Sequence, residues 1–191
     1  MIRVLLPLAL LLTGCVQTGA SNGFSSGEAN IAAQRMRFAV EAVCLNNRTR
    51  NGQDQAARQL SFPIREREGS SVVYANPGTL TFLRIGPAPE QAITTEAGRI
   101  VINGSGCSVG SPAVGQAVAQ RLAGEILAPR LVDGSDTLRA PIAAGRNSDG
   151  GIGFFFEGLS VTLPPARTTF TDPATGQGIA FDHPVILIVH N

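Results

Sequence analysis

The sequence predicts an α+β fold: a mainly antiparallel sheet with two helices packed on one face. Three observations support this. Two stretches, 26–45 and 112–127, repeat apolar residues at helical spacing. Several runs rich in Val, Ile, Thr and Phe are joined by short Pro/Gly turns, which is hairpin chemistry. Finally, 22 Gly and 12 Pro in 191 residues mark many turns and suit a strand-rich domain better than a helical bundle.

The chain opens with Arg3 and then nine uncharged, mostly Leu residues, Val4–Leu12. That is the length of a signal-peptide core and about half of the ~20 residues a membrane-spanning helix needs. The run closes on Leu12-Thr13-Gly14-Cys15. An aliphatic residue, two small residues and a cysteine in this place resemble the lipobox of bacterial lipoproteins. The resemblance implies that the Cys15 thiol receives a diacylglycerol, that Met1–Gly14 is removed as a signal peptide, and that the new amine is acylated. Removing fourteen residues from 191 leaves 177. Each buried CH₂ contributes ~0.8 kcal/mol and a single chain holds only reversibly, so two or three chains on Cys15 make the attachment stable. In Gram-negative lipoproteins an Asp after the cysteine resembles an inner-membrane retention signal. Val16 stands there instead, which implies the periplasmic face of the outer membrane.

After cleavage the chain is long enough for one domain with a real core. The full chain has fifteen Arg, no Lys and fourteen acidic residues; losing Arg3 leaves fourteen of each sign, a neutral balance with no basic cluster. That argues against nucleic acid as a partner and against electrostatic membrane docking. The expected partners are the membrane, through acyl chains on Cys15, and another envelope protein. Residues 15–27 are rich in Ser and Gly, with little to bury, and read as a flexible tether. Residues 28–191 read as a single periplasmic domain.

The first helix is expected over Ser26–Leu45. Ser25 and Glu28 fit a capping box. Ala32, Met36, Val40 and Val43 share one stripe, and Phe38 is read with Met36 as core. Cys44 sits on the last turn. Gln53–Leu60 can make a short second helix, broken by Phe62-Pro63. Arg65-Glu66-Arg67-Glu68 reads as a solvated edge or turn. Ser71–Ala75 and Thr79–Ile85 read as a hairpin about Asn76-Pro77-Gly78, and Arg99–Asn103 as a third strand followed by a Gly/Ser loop carrying Cys107. The second substantial helix has Ser111 as N-cap, Pro112 at its first position, and Val114, Val118, Leu122 and Ile126 on one stripe, with Pro129 ending it. Leu131–Asp149 is rich in turn residues. Ile152–Leu163 reads as one long strand. Its run Phe154-Phe155-Phe156 cannot face one side of a sheet, so either both faces are covered or one ring is exposed as a contact surface. Thr168–Thr171 and Gly178–Phe181 form another hairpin, and Val185–Val189 a central, covered strand.

With Cys15 taken by lipid, Cys44 and Cys107 most simply pair in an exported domain, closing a loop of about 60 residues and contributing about 4 kcal/mol. Two free thiols are the alternative. Two thiols alone lack the further ligands zinc requires.

One string carries a catalytic pattern. Gly106-Cys107-Ser108-Val109-Gly110 matches G-x-S-x-G between a strand and a helix, and Asp172 or Asp182 and then His183 follow in the Ser…Asp…His order, so the string resembles the nucleophile elbow of α/β-hydrolases. Against this stand the hairpin strands upstream, a helix that starts late, and the lack of an oxyanion segment. The other reading is a Gly loop that turns Cys107 toward Cys44. Gly104-Ser105-Gly106 lacks the third Gly of a dinucleotide loop, and a chain without Lys has no Walker lysine. Asp133-Gly134-Ser135-Asp136 and Asn147-Ser148-Asp149-Gly150 lack the full ligand series of a calcium loop. No cofactor and no metal is expected. The expected function is a lipid-anchored, non-enzymatic binding or structural module of the cell envelope; the alternative is a small serine hydrolase using Ser108 with His183 and Asp172.

Overall fold

In a computed structural model of the chain, Ser25 caps the first helix with the predicted box. Its hydroxyl accepts from the Glu28 amide at 3.2 Å, and its own amide donates to Glu28 Oε2 at 2.8 Å. The structure describes residues 23–132, 143–147, 150–165, 167–171, 175–176 and 178–191. The expected signal peptide, Cys15, most of the expected tether, Asp133–Asp136, Ser148, Asp149 and Asp172 lie outside the described residues.

Helix α1 is Ser26–Ala39, and the run continues as a π-helical stretch, Val40–Leu45. Ala32, Met36, Val40 and Val43 are fully buried, as their stripe requires. Phe38, expected in the core, is 51 % exposed. At about 100° per residue it points roughly 200° away from Met36. Helix α2, Arg50–Gln59, begins at Thr49, whose Oγ1 accepts from the Gly52 amide at 3.2 Å.

The main sheet has eight antiparallel strands in the order β1-β2-β3-β6-β12-β9-β8-β7. They are β1 (Ile64–Glu68), β2 (Ser71–Asn76), β3 (Thr81–Pro87), β6 (Ser105–Gly110), β7 (Ala143–Arg146), β8 (Ile152–Phe156), β9 (Leu159–Leu163) and β12 (Val185–His190). Two small hairpins stand apart from it: β4–β5 (Gln91–Thr95 with Gly98–Ile102) and β10–β11 (Thr168–Thr171 with Gly178–Phe181).

Several expectations need correction. The Gly/Ser loop around Cys107 is the strand β6, paired on both sides with β3 and β12. Its composition, Ser-Gly-Cys-Ser-Val-Gly, has little intrinsic strand preference; the two neighbours supply its ladder. The single long strand over 152–163 is a hairpin, turned at Glu157-Gly158, where Gly158 has φ +72°, a backbone that suits glycine. The helix expected from Pro112 is α3, Gln116–Val132. Ser111 does accept from the Ala113 amide at 3.1 Å, but this closes a turn ahead of the helix. Pro129 lies inside α3, three residues from its end, so the helix tolerates one missing donor in its final turn. The central strand is found as expected: β12 lies between β6 and β9 and all six of its residues are buried.

Both faces of the sheet are covered. On one, Leu83, Ile85, Cys107, Val109, Val161, Ile186 and Ile188 pack with the helical residues in a single cluster. On the other, Leu187, Val189 and Phe155 pack with Ala88, Ile93 and Ile102 of the β4–β5 region, while Val185 packs with Ile179 and Phe181 of β10–β11. Alternation along β12 divides its side chains between these layers. This accounts for a strand that reads as a continuous apolar run.

All five residues of the edge strand β1 are exposed to solvent in part. Arg65 and Arg67 pair with Tyr74 and Val72, which face the helices, whereas Glu66 and Glu68 stand on the opposite face. A second copy joining this edge antiparallel, about a two-fold normal to the sheet, would bring Arg against Arg on one face and Glu against Glu on the other. The alternating charges therefore guard the edge against self-pairing.

Candidate functional site: the braced junction at Cys44 and the covered row of Ser108

The π-helical stretch places Cys44 over β6, and a disulfide joins it to Cys107 with the Cα atoms 5.4 Å apart. The bridge spans 63 positions and ties the end of the first helical run to the middle of the sheet. His190, the last residue of β12, reaches the same junction: its Nε2 lies 2.8 Å from the Cys44 carbonyl oxygen. A carbonyl only accepts, so Nε2 carries the proton. Asn47 Nδ2 donates to the Ala42 and Val43 carbonyls at 2.9 and 3.0 Å, and Gln53 Nε2 donates to the Asn47 carbonyl at 3.0 Å. Carbonyls that the end of the helical run leaves without intrahelical partners are thus bound by side chains.

His190 is 4 % exposed. Burial pushes its imidazole below the ordinary histidine range; the bond to the Cys44 carbonyl opposes this in part, and the charge of Arg48 adds to the lowering. The native state thus binds fewer protons at this ring than the unfolded chain does once the pH drops below about 6.5. Its contribution is complete above that pH and is lost progressively below it. The urea midpoint should hold steady between about pH 8 and 7, then fall toward pH 5.5, and His190→Gln should flatten the fall. An equal fall in His190→Gln would exclude this ring as its source.

Ser108 lies in mid-strand on the face opposite Cys107, 2 % exposed, with its Oγ making no hydrogen bond among the described residues. It is not on a strand-to-helix turn: its cross-strand neighbours are Arg84 and Leu187. His183, two residues before β12, packs tilted against Phe82 with ring centroids 5.9 Å apart and sits four strand positions from the level of Ser108, about 13 Å at 3.3 Å per residue. Asp182 is exposed. The structure does not bring Ser108 and His183 together.

Packing explains the G-x-S-x-G spacing. Gly106, Ser108 and Gly110 occupy alternate positions and so share the hairpin-covered face. A Cβ on Gly106 would lie 2.5 Å from the Ala88 Cβ, and one on Gly110 would lie 2.4 Å from Phe82 Cζ and 2.7 Å from Val185 Cγ1. Small residues at every second position let the covering layer approach β6. A buried hydroxyl without a partner carries its desolvation cost uncompensated. Ser108→Ala should therefore leave stability unchanged or raise it by up to about 1 kcal/mol, measured by urea unfolding. A clear destabilisation would mean that Oγ has a partner.

Next to this row lies a buried polar group that the sequence does not announce. Gln91 Oε1 accepts from Thr162 Oγ1 at 2.8 Å and from Asn147 Nδ2 at 3.4 Å, and Gln91 Nε2 donates to the Pro89 carbonyl at 3.2 Å. These bonds pin β4 to β9 and to the β7–β8 turn. A second network clamps α2 to the sheet edge. The Asp54 carboxylate accepts from Tyr74 Oη at 2.7 Å, Arg58 Nε at 3.0 Å and Arg65 Nη2 at 3.1 Å. Burial raises the Asp54 pKa, but the three hydrogen bonds together outweigh it and hold the carboxyl below its ordinary range. Burial first, and then the Asp54 bond, push the Tyr74 phenol up. In the Gln91 group one atom is left over: the buried Asn147 Oδ1 makes no hydrogen bond among the described residues.

A cleft of about 150 Å³ opens between α1 and α3, lined by Asn30, Gln34, Arg37, Arg121 and Glu125 with three apolar neighbours. None of its lining side chains is a Ser, Cys or His. Glu125 is bound by Arg37 at 3.8 Å and Arg121 at 3.7 Å. Of the three consecutive phenylalanines, Phe155 is buried facing the hairpin layer, Phe156 is buried against the helices, and Phe154 is half-buried on the helical side. Among the described residues no group of three or more His, Cys, Asp and Glu is placed to hold a metal ion, and no helix is long and apolar enough to cross a membrane. No family model, no curated protein and no solved structure matches this chain.

Proposed function

We propose that this protein is a lipid-anchored lipoprotein of the bacterial cell envelope, held at the periplasmic face of the outer membrane by acyl chains on Cys15, and that its domain is a non-enzymatic binding or structural module. The observation that carries the reading is Leu12-Thr13-Gly14-Cys15, closing a nine-residue apolar run behind Arg3. The Cys44–Cys107 disulfide supports it, because such bonds persist in oxidising compartments outside the cytosol. So does the distance from Cys15 to the domain: the first cap, Ser25, comes only ten residues later. The small residues of the G-x-S-x-G string serve packing against Ala88 and Phe82, so that string lends no weight to a hydrolase.

Growth of an expressing bacterium on an alkyne-bearing fatty acid tests the anchor. The native chain should take up label and partition with membranes, and Cys15→Ser should lose both. Label retained by Cys15→Ser would overturn the proposal.

A further inference from the structure

Phe38 and Ile31 are the most exposed large apolar side chains among the described residues, at 51 % and 53 %. Both are on α1, seven residues apart, so two helical turns place them on one stripe. Ala32, Met36 and Ala39 face the sheet, and Asn30, Gln34 and Arg37 line the cleft toward α3. Arg35, between the two exposed residues, donates to the Leu60 carbonyl and lies over the Phe62 ring at 5.2 Å. The Ile31–Phe38 stripe is thus the outer side of α1, between the cleft residue Gln34 on one hand and Arg35 on the other.

Single exposed apolar residues are ordinary. A pair of them on the first helix after an anchor calls for a reason. Ten residues separate Cys15 from Ser25, and ten residues span at most about 35 Å. An acylated Cys15 therefore keeps the start of α1 within that distance of one leaflet. Such tethering raises the effective concentration of the surface to the millimolar range, where a contact too weak to recruit the free domain is populated. Glu28 and Glu41 balance Arg35 and Arg37 along the helical run, so apolar burial rather than charge would make the contact. We infer that the Ile31–Phe38 stripe of α1 lies against the leaflet holding the acyl chains of Cys15, seating the domain on the membrane. This rests on the anchor proposed above and adds which face the domain turns to the lipid.

The chain contains no Trp, so Phe38→Trp and Ile31→Trp each provide a single reporter at an already exposed position. The full chain, processed in a bacterial host, is reconstituted into phosphatidylethanolamine/phosphatidylglycerol vesicles whose acyl chains carry bromine. The mass of the N-terminal peptide reports acylation separately. The acylated protein should show blue-shifted emission quenched about twofold or more by brominated lipid at both positions. Thr94→Trp, exposed on β4 across the sheet from the helices, should remain unquenched. An acylated chain in which neither the Phe38→Trp nor the Ile31→Trp reporter is quenched would overturn the seating and leave the anchor standing, whether water or a neighbouring protein surrounds the indole. A chain with no acyl group on Cys15 would overturn the anchor, and the seating with it.

Discussion

Replacing Cys44 and Cys107 together by Ala should lower the stability of the domain by about 4 kcal/mol, since the bridge closes a loop of 63 positions in the unfolded chain. With a urea slope of about 2 kcal/mol/M for a domain of this size, the midpoint should fall by about 2 M, followed by far-ultraviolet circular dichroism. The native chain in strong reductant should behave in the same way. The loss should not be confined to chain entropy. The bridge holds the π-helical stretch against β6, and the Cys44 carbonyl is the acceptor for His190, so the C-terminal end of β12 should lose protection from hydrogen exchange first. A midpoint that does not move would show that the thiols are unpaired in the folded protein.

The second large effect should come from Gly106. A Cβ there meets the Ala88 Cβ at 2.5 Å and the Ala88 Cα at 3.2 Å, and the latter is backbone that no rotamer change can move. Gly106→Ala should cost about 2–3 kcal/mol, at the upper end for overpacking, because the connection into β4 must be pushed off the sheet. Ala88→Gly removes the nearer atom. The double variant Gly106→Ala/Ala88→Gly should therefore be more stable than the sum of the single changes by about 1 kcal/mol or more. Strict additivity would mean that the covering layer does not touch β6 at this point. Ser108→Ala, two positions along the same face, should by contrast be nearly silent. A catalytic serine in a strand-to-helix elbow would give the opposite pattern: tolerance in packing and loss of reactivity.

How much of this was legible before folding can be judged from particular residues. The Ser25/Glu28 box, the stripe of Ala32, Met36, Val40 and Val43, the hairpins at 71–85 and 168–181, and the covered strand at 185–189 are written in spacing. A cap needs partners three residues apart, and a stripe needs only the 3.6-residue period. The pairing of Cys44 with Cys107 was expected once Cys15 was read as taken by lipid, and the structure contains that bond. The same local logic failed for Phe38, where apolar character was read without its angle on the helix, and for Ser111-Pro112, whose capping chemistry closes a turn ahead of α3 instead.

What the chain alone determined, then, is the class of fold and the location of its helical stripes and hairpins; the lipid anchor at Cys15 is proposed from it. What only the tertiary structure decided is the role of residues whose partners are far away in sequence. Gly106, Ser108 and Gly110 form a strand because β3 and β12 flank them, and they are small because Ala88 and Phe82 press on that face. Gln91 is buried because Thr162, 71 positions away, donates to it, and His190 is buried against a carbonyl 146 positions away. Periodicity records which way a side chain points along its own element. It carries no information about what the folded chain will bring to meet it, and in this protein that encounter turns a string with the spacing of an active site into a packing surface.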